Sequence, residues 1–189
     1  MALTYSLMTA LGSEAPPFSL PAANPDVDNA GGDVRSLEDY AGSDALVVVF
    51  TCNHCPFAVH VEDALLDVVR RYQARGVQFV AISSNDAIQY PEDSLPNMKR
   101  RARQKGYPFP YLYDASQEIA KAYGAVCTPD FFVYDKNRQL AYRGRFDETR
   151  PGMGAAHGGD LGKALDELLD SGSVSIDQVA SMGCNIKWK

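Results

Sequence analysis

The chain has 189 residues, of which 46% are hydrophobic and 22% charged, and its formal net charge is −6. This length suits one domain that buries a continuous core without disulfide bonds. The acidic balance argues against nucleic acid or an anionic membrane as the main partner. No stretch reaches transmembrane length, and residues 1–10 lack the basic residues that begin a signal peptide. We therefore expect a cytoplasmic protein.

The first half of the chain predicts a strand, a helix and a second strand. Ser36 followed by residues 37–40 predicts a short capped helix. Residues 46–50 form a short, Val-rich run that is typical of a buried strand. Apolar residues then recur at helical spacing over 57–72, so a helix begins at or beside Cys55. Residues 77–82 predict a second strand, parallel to the first, with a right-handed crossover.

The second half predicts three helices and a β-hairpin. The glycines at 106 and 124 each end a predicted helix, and Asp114 with Gln117 resembles a capping box. A strand, a turn and a second strand follow. The predicted elements are helices over 92–105, 119–123 and 161–169 and a hairpin of 131–134 with 139–146. We expect one domain over 1–189, with its core at about 11–170 and a tail at 171–189.

The residues Cys52-Asn53-His54-Cys55 lie between the predicted strand and helix. The free N–H groups and the dipole at a helix start favour thiolate over thiol, so we expect a lowered pKa at Cys52. Cys52 is then the nucleophile. Cys55, about one helical turn further on, attacks the mixed disulfide formed at Cys52. The pair predicts a reversible dithiol/disulfide switch that needs no metal and no bound cofactor.

Three motifs resemble the thioredoxin-like redoxin family, which includes TlpA-like thiol-disulfide oxidoreductases and AhpC/TSA peroxiredoxins. The motifs span 12–20, 49–56 and 123–129, and the likeness extends over about 11–170. The resemblance implies an α/β, thioredoxin-like three-layer fold. Such a fold has a central mixed β-sheet, here with an N-terminal extension and a C-terminal tail.

The resemblance also implies roles for residues around the two cysteines. Pro129 matches a cis-proline that faces the Cys-x-x-Cys, and Thr128 matches a residue that offers backbone groups to a bound polypeptide. A proline that begins a strand is expected to leave an unpaired edge there. His54 resembles the histidine in the Cys-Gly-His-Cys of protein disulfide isomerase, so we expect Asn53 and His54 to modulate the thiols. His60 and His157 are interpreted as structural or surface residues.

Several functions remain open at this point. The first is a thiol-disulfide oxidoreductase acting on a disulfide-containing protein or small molecule, with an external thiol reductant as its second partner. The second is a thiol peroxidase, although Thr51 lies four residues before Cys55 rather than the three of the peroxiredoxin motif. A third is a zinc-binding module that uses the four cysteines or a histidine. A redox-inactive, partner-binding module is the last.

Two further cysteines are considered as accessory thiols. Cys127 lies two residues before Pro129, and Cys184 lies in the tail, where Ile186 and Trp188 are expected to anchor an extended segment. Either the two are unrelated free thiols, or Cys184 pairs with Cys127 as a clasp, or Cys184 pairs with the redox site as a relay.

Overall fold

The computed structural model describes residues 3–28 and 32–189; Met1 and Ala2, the start of the N-terminal segment discussed above, lie outside the described residues. The strands of the described part are β1 Leu3–Tyr5, β2 Ser19–Pro21, β3 Val34–Ser36, β4 Ala45–Phe50, β5 Val77–Ser83, β6 Tyr111–Tyr113, β7 Cys127–Thr128, β8 Asp130–Asp135, β9 Leu140–Gly144 and β10 Met182–Asn185. Its α-helices are α1 Pro56–Gln73, α2 Leu95–Lys105, α3 Glu118–Tyr123 and α4 Gly159–Ser171.

The central sheet is mixed and has β4 at its middle. Its strand order is β6-β5-β4-β8-β9. β4 runs parallel to β5, with Ala45 opposite Val77, and antiparallel to β8, with Ala45 opposite Asp135. All six residues of β4 are buried, because both faces of the sheet are covered. The predicted strand, helix and parallel strand around the two cysteines are therefore confirmed.

Helices on both faces complete a three-layer α/β fold. Alternate residues of β4 point to opposite faces. Val47 and Val49 pack with α1, α2 and α4, whereas Val48 and Phe50 pack with α3 and the N-terminal extension. The order of layers agrees with the predicted thioredoxin-like fold. No helix in the ranges 3–28 and 32–189 is long and apolar enough to cross a membrane.

The tail forms part of a second, three-stranded sheet in the order β1-β10-β7. β10 is antiparallel to both neighbours, with Cys184 opposite Thr128 on one side and Leu3 on the other. The sequence did not indicate β1, because three residues give no readable periodicity. The expected anchoring of the tail is correct for Ile186, which is buried in the core, but wrong for Trp188, which is 37% exposed. A bond from the Trp188 N–H to the Ile186 carbonyl ends the extended segment in a tight turn.

The helix after β5 begins later than predicted. Residues Pro91–Asp93 form a separate 3₁₀ turn, and α2 starts at Leu95 with a proline in its first turn. The predicted capping role of Asp114 at the start of α3 is confirmed. Its carboxylate accepts hydrogen bonds from the N–H groups of Gln117 and Ala120 at 2.9 and 3.0 Å. The separate 3₁₀ turn matters because it carries a residue of the candidate site.

Candidate active site

Cys52 and Cys55 lie where β4 ends and α1 begins. The Thr51 N–H donates to the Ile82 carbonyl at 2.9 Å, which extends the β4 and β5 pairing up to the first cysteine. Cys55 is the residue that precedes α1, and Pro56 occupies the first helical position, where no N–H partner is needed. Cys52 is 6% exposed and Cys55 is fully buried. Both are free thiols.

Thr128 contacts both sulfurs from the opposite side. Its hydroxyl lies 3.6 Å from Cys52 Sγ, and its carbonyl accepts a hydrogen bond from the Cys55 thiol at 3.2 Å. The Thr128–Pro129 peptide is cis, as predicted. Thr128 therefore lies against the dithiol, next to the cis-proline, as the family resemblance implied.

The unpaired edge expected at Thr128 is wrong. β10 pairs with β7 there, and Thr128 is buried. The backbone groups that were expected to meet a bound polypeptide meet the tail of the same chain instead. The sequence shows only that the tail has apolar residues, whereas this pairing depends on contacts between residues far apart in the chain.

The two thiols shift each other's pKa in opposite directions. Interaction with the Cys52 side chain, with smaller contributions from Cys184 and Thr128, lowers the pKa of Cys55 although burial opposes it. The same interaction and burial raise the pKa of Cys52. This direction differs from the lowered pKa expected at Cys52. The reason is that Cys55, not Cys52, directly precedes the helix and has more donors around it.

The two residues between the cysteines are held by Asp93, from the 3₁₀ turn before α2. Asp93 is completely buried. One carboxylate oxygen accepts the Asn53 backbone N–H at 2.7 Å. The other lies 2.6 Å from His54 Nδ1 and also accepts from the Asn85 side chain at 2.7 Å. A buried charge of this kind is stable only when it is fully hydrogen-bonded, so Asp93 fixes the loop tightly.

His54 is oriented by this carboxylate and by an aromatic ring. Its imidazole stacks on Tyr90, with ring centroids 5.4 Å apart and planes at 7°. The hydrogen bond that His54 donates to Asp93 raises the pKa of His54, although burial opposes the charged form. Its Nε2 is buried and has no protein partner among the described residues. The histidine is therefore a rigid, protonatable group between the two cysteines, as the expected modulating role requires.

Asp93, Tyr90 and Asn85 were missed by the sequence reasoning. They lie in the polar stretch that follows β5, in which no site residue was predicted. One signal was available: the carboxyl ends of adjacent parallel strands meet at the same edge of a sheet. Polar residues after β5 must therefore lie close to the Cys-x-x-Cys that follows β4.

The accessory cysteines differ in their relation to the site. Directly opposed residues of antiparallel strands point to the same face, so Cys184 and Thr128 share the face of the dithiol. Cys127 is opposite Asn185 and points to the other face, where burial raises the pKa of its thiol. The geometry thus brings Cys184, but not Cys127, to the candidate site.

Two groups of potential metal ligands occur in the part of the chain that the structure describes. Ligand atoms of Cys52, His54 and Asp93 lie within 4.8 Å of one another, as do those of Asp147, Glu148 and His157. A thiolate, an imidazole and a carboxylate suit zinc by chemistry. Within the described ranges, neither group includes Cys127 or Cys184, which the zinc alternative required.

The fold and the dithiol at the start of α1 define a thioredoxin-like protein. A thiol:disulfide interchange protein of the thioredoxin family from Chlorobium tepidum TLS superposes with a TM-score of 0.61 over 85% of this chain and 98% of that one. The identity of 22% shows a common fold alone. Residues 11–143 match the model of the AhpC/TSA family, and the chain belongs to this family.

Two relatives are more similar in sequence. An uncharacterized conserved protein from Geobacillus kaustophilus is 49% identical, with a TM-score of 0.94, over 100% of this chain and 97% of that one. The thiol-disulfide oxidoreductase ResA of Geobacillus thermodenitrificans (strain NG80-2) is 27% identical over 139 residues, which are 72% of this chain and 70% of that one. The chain is thus similar to a thiol-disulfide oxidoreductase.

Proposed function

We propose that this protein is a thiol-disulfide oxidoreductase in which Cys52 attacks the substrate and Cys55 resolves the mixed disulfide. One observation carries the proposal. The two sulfurs lie in one buried cluster at the start of α1 and both contact Thr128, and only Cys52 of the pair has any exposed surface. Access therefore assigns the attacking role to Cys52, while the pair as a whole supplies the thiolate.

The reaction has two exchange steps. The Cys52 thiolate, formed when the shared proton moves to Cys55, attacks one sulfur of the substrate disulfide, and the other substrate sulfur leaves as a thiolate. Cys55 then attacks Cys52 Sγ, which releases the second substrate thiol and leaves a Cys52–Cys55 disulfide. An external thiol reductant restores the dithiol. The chain gives up two electrons and the substrate gains two.

His54 and Asp93 adjust this chemistry. A protonated His54 favours the thiolate, and so the dithiol form, through its charge. Asp93 keeps His54 protonated to higher pH, but its own charge raises the pKa of Cys52. The two effects oppose each other, so the pair sets the balance between the dithiol and the disulfide rather than favouring one form strongly.

A groove beside Pro129 provides a route for the substrate. Its volume is about 370 Å³, and its walls include Phe57, His60 and Thr149. Because β10 occupies the backbone edge of Thr128, we propose that a protein or small-molecule disulfide reaches Cys52 from this groove. We also propose a reducing compartment such as the cytoplasm, where a dithiol stays reduced.

Single cysteine variants test the proposal. Cys52→Ser should abolish the reduction of insulin by dithiothreitol above background, whereas Cys55→Ser should accumulate a mixed disulfide that is visible by intact mass. Cys127→Ser is the matched control and should retain wild-type turnover. Normal turnover by Cys52→Ser would refute the assignment of the nucleophile. Hydrogen peroxide turnover in the same series tests the peroxidase alternative, which membership of the AhpC/TSA family keeps as the second candidate.

A further inference from the structure

Three sulfur atoms, rather than two, meet in the candidate site. Cys52, Cys55 and Cys184 form one buried cluster with Ala58, and Phe57 packs against it. The side chains of Cys52 and Cys184 each interact with the Cys55 thiol and lower its pKa. Cys55 thus contacts both neighbours, and a disulfide on Cys55 has a second thiol beside it.

The position of Cys184 is set by the backbone of β10. A Cβ atom at Gly183 would collide with the Thr128 carbonyl oxygen, so this close approach requires glycine. Beyond Cys184, the Ile186 N–H donates to the Val126 carbonyl at 2.9 Å and the Lys187 N–H donates to the Asn85 side chain at 2.8 Å. The close approach at Gly183 and the two hydrogen bonds after Cys184 therefore hold the Cys184 backbone beside the dithiol.

We propose that Cys184 is a third redox-active thiol that accepts the disulfide from the Cys52–Cys55 pair; this inference rests on the proposed function and extends it. Cys184 attacks Cys55 Sγ, a Cys55–Cys184 bond forms, and the Cys52–Cys55 bond breaks. Cys52 leaves with the bonding electron pair and takes up the proton that Cys184 loses. The exchange changes no oxidation level, so it requires no further oxidant or reductant.

The exchange changes which sulfur is free. After it, the disulfide lies between two buried residues, and Cys52, the residue of the pair with exposed surface, is again a thiol. The oxidised protein therefore exists as two disulfide isomers, and the ratio K of Cys55–Cys184 to Cys52–Cys55 describes their balance.

The first experiment removes Cys52. The Cys52→Ser protein is oxidised with diamide, alkylated in acid and digested with trypsin without reduction. Residues 36–70 contain Cys55, residues 164–187 contain Cys184 and residues 122–136 contain Cys127. We expect 36–70 to be joined to 164–187, and expect the Cys52→Ser/Cys184→Ser control to give no joined peptide. Alkylated Cys55 and Cys184, or a link from either to 122–136, would overturn the inference.

The second experiment measures the exchange in the intact site. In wild-type protein equilibrated with reduced and oxidised glutathione, the same digest gives K as the amount of 36–70 joined to 164–187 divided by the amount of 36–70 that carries an internal Cys52–Cys55 disulfide. The second isomer adds to the population of oxidised protein. The equilibrium constant for oxidation of the protein by oxidised glutathione should therefore fall by the factor 1 + K in Cys184→Ser and in Cys184→Ala. Cys127→Ser should leave it unchanged, and circular dichroism shows that each variant is folded.

The outcomes separate this inference from the proposed function. A wild-type protein that reduces insulin but carries its disulfide only between Cys52 and Cys55 refutes the third thiol and leaves the function standing. A wild-type protein that reduces no disulfide refutes the function, whatever link Cys184 forms.

Discussion

Two buried aspartates, each beside a histidine, lie in different parts of the molecule and hold different groups. Asp93 is completely buried and lies 2.6 Å from Nδ1 of His54, whose side chain is 18% exposed. Asp147 is equally buried, but its nearest contact with the His157 ring is 4.0 Å, and that ring is 50% exposed. The first aspartate orients a histidine side chain, whereas the second leaves its histidine close to solvent.

Asp147 binds backbone N–H groups of the loop that follows it, rather than a histidine ring. Its two oxygens accept the N–H groups of Thr149, His157 and Gly158 at 2.9, 2.7 and 2.7 Å, and the Thr149 hydroxyl at 2.6 Å. Burial raises the pKa of Asp147, but these bonds outweigh it and hold the pKa below its usual range. The comparison shows that the role of a buried carboxylate depends on the group it holds. Asp93 serves the redox loop, and Asp147 shapes the loop that lines the groove.

The largest effect on stability is expected from Asp147→Ala. This change leaves one buried and two partly buried backbone N–H groups without their charged acceptor, which should lower the free energy of unfolding by about 3–5 kcal/mol. Urea denaturation measures the loss. Asp170→Ala, which removes an exposed carboxylate paired with Arg75, is the matched control and should cost less than about 0.5 kcal/mol. Equal losses in the two variants would show that Asp147 does not organise its loop.

Asp93→Asn should have a smaller effect on stability but a larger one on redox chemistry. The amide keeps the shape and one acceptor oxygen but loses the charge, so we expect a loss of about 1–3 kcal/mol in unfolding free energy. Without the carboxylate, the pKa values of both His54 and Cys52 should fall. The pH dependence of Cys52 alkylation should move to lower pH by an amount that Asp147→Asn does not reproduce.

His54→Gln should reveal a pH-dependent contribution to stability. The pKa of His54 is raised in the folded protein above its unfolded value of about 6.5, so its stabilising ion pair with Asp93 is fully present below that pH. The contribution is lost as pH rises through the folded pKa. We expect wild type to exceed His54→Gln by about 1–2 kcal/mol near pH 6 and the difference to shrink at alkaline pH. A pH-independent difference would contradict the ion pair.

His157→Gln should have the smallest effect. The His157 ring is half exposed and its closest acid, Glu148, is exposed as well, so we expect a change below about 0.5 kcal/mol. The pH dependence of unfolding and of Cys52 alkylation should match wild type. A change in unfolding free energy as large as that of His54→Gln would remove the distinction between the two aspartate regions.

The sequence predicted the parts of the site that depend on local pattern. A Val-rich run and helical spacing after Pro56 were enough to place β4 and α1, whereas the cis-proline opposite the dithiol was implied by the family resemblance of residues 123–129. Asp93 was not found, because nothing local distinguishes it from Glu92. The pKa order of the two thiols was also wrong, since it depends on which donors surround Cys55, and one of these comes from β10.

The strand β10 ties the last residues of the chain to the first and to the redox site. The Ser181 N–H bonds to the Ser6 side chain 175 residues away in sequence, and the Lys189 N–H bonds to Gln117. During synthesis, β4, α1 and β5 emerge from the ribosome long before this tail does. Contacts between distant residues form late, so a nascent chain exposes its dithiol to the surrounding thiol pool until residues 182–185 have been synthesised and have paired.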